Sequence, residues 1–270
     1  MGRVVAWTEG RAKVGETEAR AGQRTVVITG ASRGIGAETA RVLAAGGDHV
    51  VINYREKRKR ADALAAEIIA AGGSASTVGA DICDDASAQA MIDEVVRRQG
   101  QLDVLVLNAS GGLERGAAPD YPMAINRDAQ VRLVRSAVPH MPAGSRIVFV
   151  TSHQAHFHDR KPVPADYEPI AASKRAGEDA LRAMIPELAE RGIRLLVVSG
   201  DMIDGTIIVR LLERRDPAAV SARRDHAELP TIAEFAEAVA AAATSTATSG
   251  TTTYVGGPDY LTGEPERVSA

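Results

Sequence analysis

The sequence predicts an α/β fold in which a seven-stranded, mostly parallel, doubly wound sheet carries helices on both faces. Short apolar runs rich in β-branched residues alternate along the chain with longer helix-like stretches, and glycines close the first two of those stretches. Runs that are apolar throughout are typical of parallel strands buried on both faces. Regular alternation of such strands with helices indicates a doubly wound sheet.

The predicted strands are short and apolar, and they cover residues 25–29, 49–53, 77–80, 102–107, 146–151, 194–198 and 251–255. The predicted helices lie between them, at 35–45, 57–71, 86–98, 125–138, 169–191 and 232–243. Gly46-Gly47 and Gly72-Gly73 stop the first two helices. No internal repeat divides the chain, so 24–270 is predicted to be a single domain. The mixed polar segment 1–23 is predicted to be a flexible leader.

Composition excludes several classes of protein. A chain of 270 residues suits one large α/β domain, and a net charge of -3 favours neither nucleic acid nor an acidic membrane surface as partner. Cys83 is the only cysteine, which excludes an intramolecular disulfide and a multi-cysteine metal site. No apolar run approaches the ~18 residues of a membrane span, and no secretion signal precedes the first strand. We therefore expect a cytoplasmic enzyme or binding protein.

Three glycines, Gly30, Gly34 and Gly36, follow the first predicted strand and open the first helix. Glycines in this position let the backbone turn tightly and approach a phosphate group. The helix N-terminus adds free N–H groups and the positive end of its dipole. The arrangement predicts a site for the pyrophosphate of a dinucleotide, and the alternative is a glycine turn without a ligand.

The segment 29–36, Thr-Gly-Ala-Ser-Arg-Gly-Ile-Gly, resembles the Thr-Gly-x-x-x-Gly-x-Gly loop of the short-chain dehydrogenase/reductase family. The resemblance covers nearly the whole chain from this loop onward and implies a Rossmann-type domain. Asp81-Ile82 is similar to the family's adenine contact, and the segment 108–111 to its loop after the fourth strand. The expected cofactor-binding residues are Gly30, Ser32, Arg33, Gly34, Ile35, Gly36, Asn53, Tyr54, Arg55, Asp81, Ile82, Asn108, Ala109, Ser110, Gly111, Lys174, Gly200 and Ile203.

The end of the second strand predicts which cofactor binds. A carboxylate about 20 residues after the glycine loop holds the 2′-hydroxyl of NAD, but this chain has Asn53-Tyr54-Arg55 there. Arg33 stands close by in the glycine loop. Two guanidinium groups without a carboxylate suit the forked recognition of a 2′-phosphate, so the sequence predicts NADP(H).

A phenol and an ammonium, Tyr167 and Lys174, are the predicted proton donor and its partner. A free phenol titrates near ~10, and a neighbouring cation is expected to lower its pKa. The family's commonest pattern places tyrosine four residues before the lysine, where this chain has Ile170. Pro169 suits a first helical turn, so Tyr167 is predicted to lie just before the helix.

Six residues separate Tyr167 from Lys174, as in some enoyl-acyl-carrier-protein reductases of the same superfamily. The segment 199–204, Ser-Gly-Asp-Met-Ile-Asp, is also similar to one type of these enzymes. The resemblance implies a catalytic set of Asn126, Ser152, Tyr167 and Lys174. It also implies a homodimer or homotetramer.

Three functions remain open at this point. The first is an NADPH-dependent reductase of ketones or 3-oxoacyl compounds, in which Tyr167 protonates the alkoxide. The second is an enoyl-thioester reductase, in which Tyr167 hydrogen-bonds the enolate oxygen. Small molecules or acyl thioesters are the expected substrates. The third is a catalytically inactive relative that binds NADP(H) as a sensor or partner protein, which the presence of Ile170 favours.

Two further polar segments, one before Tyr167 and one after the sixth strand, are expected to lie near the predicted site. His153, His156 and His158 suggest a metal, but no carboxylate cluster accompanies them, so a polar, substrate-facing loop is favoured and no metal is predicted. One of these histidines is the alternative acid if Tyr167 points away. The segment 205–229 is expected to be a substrate lid, and we favour solvated charges over an acid-binding role for its arginines, which are Arg210, Arg214, Arg215, Arg223 and Arg224.

Overall fold

The computed structural model describes residues 17, 19–20, 22–114, 116–215 and 217–262. Its strands are β1 (Thr25–Ile28), β2 (His49–Tyr54), β3 (Ser74–Gly79), β4 (Val104–Leu107), β5 (Arg146–Ser152), β6 (Arg194–Gly200) and β7 (Thr252–Val255). They form one seven-stranded sheet in the order β3-β2-β1-β4-β5-β6-β7, and every ladder in it is parallel. The predicted fold class is confirmed.

Helices connect successive strands. They are α1 (Gly34–Ala45), α2 (Arg58–Ala70), α3 (Asp85–Gln99), α4 (Tyr121–Met123), α5 (Ala129–Ala137), α6 (His153–His156), α7 (Glu168–Ala183), α8 (Ile185–Glu190), α9 (Ile207–Arg215), α10 (Pro217–His226), α11 (Ile232–Thr244) and α12 (Asp259–Thr262). A π-helical turn, Ala124–Asp128, joins α4 to α5, and a 3-10 turn, Val138–His140, follows α5.

The hydrophobic core lies in two layers, one on each face of the sheet. Alternate residues of a strand point to opposite faces, and Ile28 accordingly joins the layer under α1, α2 and α11 while Val27 joins the layer under α3, α5 and α7. Both side chains are fully buried. Burial on both faces explains why the strand sequences are apolar throughout rather than alternating.

Two predicted helices are interrupted. The stretch 125–138 begins with the π-helical turn, so regular α5 starts only at Ala129. The stretch 169–191 ends its first part at Ala183, and α8 restarts at Ile185 with Pro186 in its first turn. Pro186 has no N–H and its ring clashes with the preceding turn, which explains the break.

The few described residues of the predicted leader contact the sheet edge. The Thr17 N–H donates to the Ala75 carbonyl at 2.8 Å, and the Ala19 N–H donates to the Gln99 side chain at 2.7 Å. The rest of the predicted leader, and residues 263–270, lie outside the described residues. Within the described part of the chain, no helix is long and apolar enough to cross a membrane.

The strand order reverses between β1 and β4. The loops that follow these strands diverge to opposite faces, and ligands of open α/β sheets bind in the crevice that results, beyond the carboxyl ends of the strands. The sheet therefore positions the glycine loop, which follows β1, at the entrance to this crevice.

Candidate active site

The glycine loop has the backbone geometry that its sequence predicts. Gly30 and Gly34 have φ angles of 63° and 57°, in the left-handed region that favours glycine. A Cβ on Gly36 would lie 2.6 Å from Nδ2 of Asn108, so no larger residue fits there. Arg33 is exposed immediately before α1, with Ser32 and Ile35 half-buried beside it. These residues leave room for a phosphate at the helix N-terminus.

Thr29 ties the glycine loop to the end of β4, a role that the sequence analysis missed. Its Oγ1 accepts hydrogen bonds from the N–H groups of Asn108 and Ala109, both at 3.0 Å. The Asn108 side chain donates in return to the Thr29 carbonyl at 2.8 Å. The predicted cofactor residues on β1 and β4 are therefore held together by direct contacts. Ser110, which follows them, is exposed.

The three residues that end β2 and follow it have different environments. Asn53 is buried, and its Oδ1 accepts from the Gly30 N–H at 3.1 Å, so its side chain shapes the glycine loop. Tyr54 packs in the core. Arg55 is half-exposed, and its Nη1 donates to the Tyr121 hydroxyl at 2.8 Å. Only Arg55 of the three presents a charged group at the surface of the crevice.

The loop after β3 supplies a carboxylate. Oδ1 of Asp81 accepts from the Cys83 N–H at 2.9 Å, which fixes the side chain at the strand end. Ile82 is buried in the core. Burial, with the negative charge of Asp81, raises the pKa of the Cys83 thiol to about 11, so this cysteine remains a neutral thiol at neutral pH.

Ser152 and Tyr167 meet at the carboxyl end of β5. Ser152 is the last residue of that strand, and Tyr167 immediately precedes α7, as its position before Pro169 predicted. The two hydroxyl oxygens lie 3.4 Å apart. Tyr167 is buried, with Ala155 and Ile170 as neighbours in a small apolar cluster. The structure thus brings together the predicted proton donor and the predicted substrate-positioning serine.

The expected effect of Lys174 on the Tyr167 phenol is wrong for the free protein. Burial raises the pKa of Tyr167, and the hydrogen bond with Ser152 lowers it only in part. Among the described residues, no cation lies close enough to reverse the effect of burial. Tyr167 is therefore a neutral phenol at neutral pH, able to donate a hydrogen bond or a proton but unable to act as a base.

Lys174 lies on α7 and is only 8% exposed. Its Nζ makes no hydrogen bond or ion pair with any described residue. Burial lowers its pKa to about 8, although the charge of Glu178, one helical turn further on, acts in the opposite direction. Burial of the side chain disfavours the charged ammonium in the free protein, and its Nζ is available to an oxygen-rich ligand. Ile170 fills the position of the family's common tyrosine and packs in the apolar cluster beside Tyr167.

Asn126 connects α7 to the loop after β4. It lies in the π-helical turn, and its Nδ2 donates to the Gly111 carbonyl at 2.9 Å and to Oγ of Ser173 at 3.0 Å. The backbone carbonyl oxygen of Asn126 packs so closely against α7 that a Cβ on Gly177 would overlap it. Asn126 therefore fixes Gly111 and α7 relative to each other.

The three histidines contact protein groups rather than the crevice. His153 is buried between Oγ of Ser199, at 2.8 Å, and the Gly256 carbonyl, at 3.0 Å. Because that carbonyl can only accept, Nε2 carries the proton of the neutral ring. Burial lowers the pKa of His153. The prediction of a polar, substrate-facing loop is wrong here, because the first part of the segment folds into α6 and buries its side chains.

His156 is equally inaccessible. Its Nδ1 lies 2.8 Å from the Glu178 carboxylate, and its Nε2 lies 3.0 Å from the Tyr254 hydroxyl. Burial by itself raises the pKa of Glu178, but hydrogen bonds from His156 and Arg182 outweigh it and leave that pKa lowered. His158 is nearer the surface, and its hydrogen bond to Glu168 raises its pKa. Among the described residues, no cluster of histidine, cysteine and carboxylate side chains has the arrangement of a metal site.

The segment after β6 is fixed by ion pairs. Arg223 on α10 binds Asp201 at 2.6 Å and Asp259 at 2.7 Å, and its guanidinium lies 5.2 Å from the centre of the Tyr260 ring. The expectation of solvated charges is wrong for Arg223. Its two carboxylate partners, far apart in the sequence, gave no local signal of this contact.

Gly200 and Ile203 contribute to the packing of the hydrophobic core in the free protein. A Cβ on Gly200 would overlap the ring of Phe235, so glycine is required for α11 to approach β6. Ile203 is buried in the same layer of the core. Both residues lie at the carboxyl end of the sheet, where the nicotinamide end of a dinucleotide is expected.

Comparison with known proteins identifies the family. Residues 24–216 match the family described as short chain dehydrogenase. The chain is 34% identical to 1-cyclohexenylcarbonyl-CoA reductase of Streptomyces collinus over 66% of its own length and 64% of that relative's, just under two thirds. It is 31% identical to versicolorin reductase 1 of Aspergillus parasiticus, over 65% of this chain and 68% of the relative.

A solved structure agrees with these relatives. The angucycline C-6 ketoreductase LanV with bound NADP superposes with a TM-score of 0.74 at 28% identity, covering 90% of this chain and 98% of that one. The match to the family spans the glycine loop, Asn126, Ser152 and Lys174, whose geometry is described above. The chain belongs to the short-chain dehydrogenase family of oxidoreductases.

Proposed function

We propose that the protein is an NADPH-dependent reductase that transfers a hydride to the carbonyl carbon of a ketone or 3-oxoacyl compound. The observation that carries the proposal is the Ser152–Tyr167 pair at the carboxyl end of β5. These two hydroxyl groups lie together at the carboxyl end of the sheet, where α/β enzymes bind their substrates. The reductases among the relatives support this reaction class.

The residues present fit a phosphorylated dinucleotide. The left-handed glycines and the close approach at Gly36 leave a cradle at the N-terminus of α1 for the pyrophosphate. Arg33 and Arg55 suit the 2′-phosphate, and Asp81 suits the adenine end. Lys174 has an unpartnered ammonium for the ribose hydroxyls next to the nicotinamide. The NADP bound to the related ketoreductase supports this choice of cofactor.

The reaction needs one hydride and one proton. NADPH held by these residues would supply the hydride for the carbonyl carbon, and the electron pair of the C=O π bond would then pass to the oxygen. Ser152 donates a hydrogen bond to that oxygen, and Tyr167 transfers its phenolic proton to it. Because an alkoxide is a stronger base than a phenolate, a phenol with a raised pKa is still an effective acid for this step.

Enoyl-thioester reduction is the second candidate. It is favoured by the six-residue separation of Tyr167 and Lys174 and by the relative whose name gives an unsaturated acyl-CoA as substrate. In that reaction the hydride goes to the β carbon, and Tyr167 donates to the enolate oxygen.

The test is an assay of the purified protein with NADPH and NADH against ketones, a 3-oxoacyl thioester and a crotonyl thioester. Loss of cofactor absorbance measures turnover. We expect ketone or 3-oxoacyl turnover with NADPH at least about tenfold more efficient than with NADH, since an arginine pair gains charge-assisted hydrogen bonds only from the 2′-phosphate. Turnover of the crotonyl thioester alone would support the second candidate. NADPH binding without any turnover would support the sensor class instead.

A further inference from the structure

The Arg55–Tyr121 hydrogen bond joins distant parts of the predicted adenine end of the site. Arg55 directly follows β2, and Tyr121 begins α4, on the connection that leaves β4. The donor Nη1 and the acceptor Oη lie 2.8 Å apart, although 66 positions separate the residues in the sequence. The contact therefore spans the β3 end, where Asp81 lies, and is a feature of the fold rather than of local sequence.

The Tyr121 ring is held in place by packing. It is half-buried and, like Cys83 and Ala109, packs against the core layer under α3, α5 and α7. Burial raises the pKa of the Tyr121 phenol, and the nearby Arg55 guanidinium lowers it only in part. The hydroxyl is therefore neutral and fixed in position, whereas the longer Arg55 side chain is half-exposed and has more rotatable bonds.

The Arg55 guanidinium and the Tyr121 hydroxyl keep hydrogen-bond donors available for an anion. The Tyr121 oxygen accepts from Arg55, and its own O–H proton bonds to no other described residue. Arg55 has five N–H donors; one bonds to Tyr121, and Nε faces the Glu56 carboxylate at 3.4 Å. The charge of the Glu114 carboxylate also acts on the Tyr121 phenol, and Oε2 of Glu114 accepts from the Gly112 N–H at 2.6 Å.

We propose that Tyr121 is a specificity-determining residue that holds the Arg55 guanidinium in place for the 2′-phosphate of NADP(H). This inference rests on the proposed cofactor preference and names the residue that orients the arginine. A guanidinium fixed before binding loses less conformational freedom when the phosphate arrives. This effect does not apply to NAD(H), which lacks the phosphate.

The test measures the binding of cofactors and a cofactor fragment to the Tyr121→Phe variant, in the absence of substrate. Dissociation constants are measured for NADPH and NADH by fluorescence titration and for adenosine 2′,5′-bisphosphate by calorimetry. We expect the variant to bind NADPH and the bisphosphate about fivefold more weakly, the usual net effect of losing one hydrogen bond. NADH affinity is expected to stay within a factor of about two. Equal weakening of NADPH and NADH, or no change in either, would overturn the inference.

Three further variants separate this inference from the proposed function. Arg55→Gln is expected to lower NADPH affinity more than Tyr121→Phe, and the double variant is expected to bind no more weakly than Arg55→Gln alone. Additive losses would show that Tyr121 acts independently of Arg55 and would overturn the positioning role. Tyr254→Phe, on the distant strand β7, is the control and should leave both affinities unchanged.

The two possible failures have different signatures. If Arg55→Gln leaves the ratio of NADPH to NADH affinity unchanged, the proposed cofactor preference itself is wrong. If Arg55→Gln lowers that ratio but Tyr121→Phe does not, the preference stands and only the role of Tyr121 is wrong. In the second case the Arg55–Tyr121 contact is a surface hydrogen bond without a part in recognition.

Discussion

Replacing Tyr167 with phenylalanine is expected to lower kcat for carbonyl reduction by about 100- to 10,000-fold, the usual contribution of a positioned general acid. The substitution removes the only hydroxyl within hydrogen-bond reach of Ser152 among the described residues. The ring remains and still fills the apolar cluster with Ala155 and Ile170. Steady-state rates and NADPH dissociation constants, measured on the same preparation, separate the loss of chemistry from the loss of binding.

The NADPH dissociation constant of Tyr167→Phe is expected to stay within a factor of about three, because the phenol faces the substrate side. Tyr254→Phe is a matched control, since it removes a phenol that bonds to buried His156 on another part of the sheet. Activity of Tyr167→Phe equal to that of the native protein would remove Tyr167 from the mechanism. Ser152 would then be the remaining donor, because His153 and His156 are both occupied by protein groups.

Replacing Lys174 with methionine is expected to stabilise the free protein while weakening NADPH binding by at least about tenfold. The Lys174 side chain is only 8% exposed, and a pKa lowered by burial from 10.5 to about 8 corresponds to an upper limit of about 3 kcal/mol for the charge at neutral pH. Methionine has a similar length and no charge. We expect a gain of about 1–3 kcal/mol in the free energy of unfolding at pH 7, measured by denaturant titration.

The sign of the pH dependence follows from the lowered pKa. Between about pH 8 and pH 10.5 the unfolded chain holds the Lys174 proton and the folded chain does not, so the stability of the native protein rises with pH through that window. The advantage of Lys174→Met should shrink over the same window. Lys57→Met, which alters an exposed lysine, is the control. A destabilised Lys174→Met protein at pH 7 would show that the ammonium has a stabilising partner.

The fold could be predicted from the sequence because the central strands are buried on both faces and helices lie in the connections between strands. The apolar run before the glycine loop is an example, since all four residues of β1 are fully buried. The interruptions of two predicted helices, at 125–138 and 169–191, were harder to predict. The π-helical turn at Asn126 depends on the close approach of α7 at Gly177, a tertiary contact that no local pattern records.

The cofactor half of the site was more predictable than the proton donor. Gly30 is required because its φ angle is positive, which is a property of the local backbone, and a sequence motif can therefore record it. The pKa of Tyr167 depends instead on burial and on the hydrogen bond with Ser152, which spacing along the chain does not determine. Arg223 illustrates the same limit, because its partners Asp201 and Asp259 lie in separate segments.

Transfer of deuterium from NADPH, labelled at both C4 positions of the nicotinamide, tests the proposed reaction most directly. The product of the best ketone or 3-oxoacyl substrate is analysed by mass spectrometry and proton NMR. We expect one deuterium on the carbon that carries the new hydroxyl group, at a rate that falls at least about 100-fold in Tyr167→Phe. Deuterium on the β carbon of an unsaturated thioester, or NADPH binding with no label in any product, would contradict carbonyl reduction.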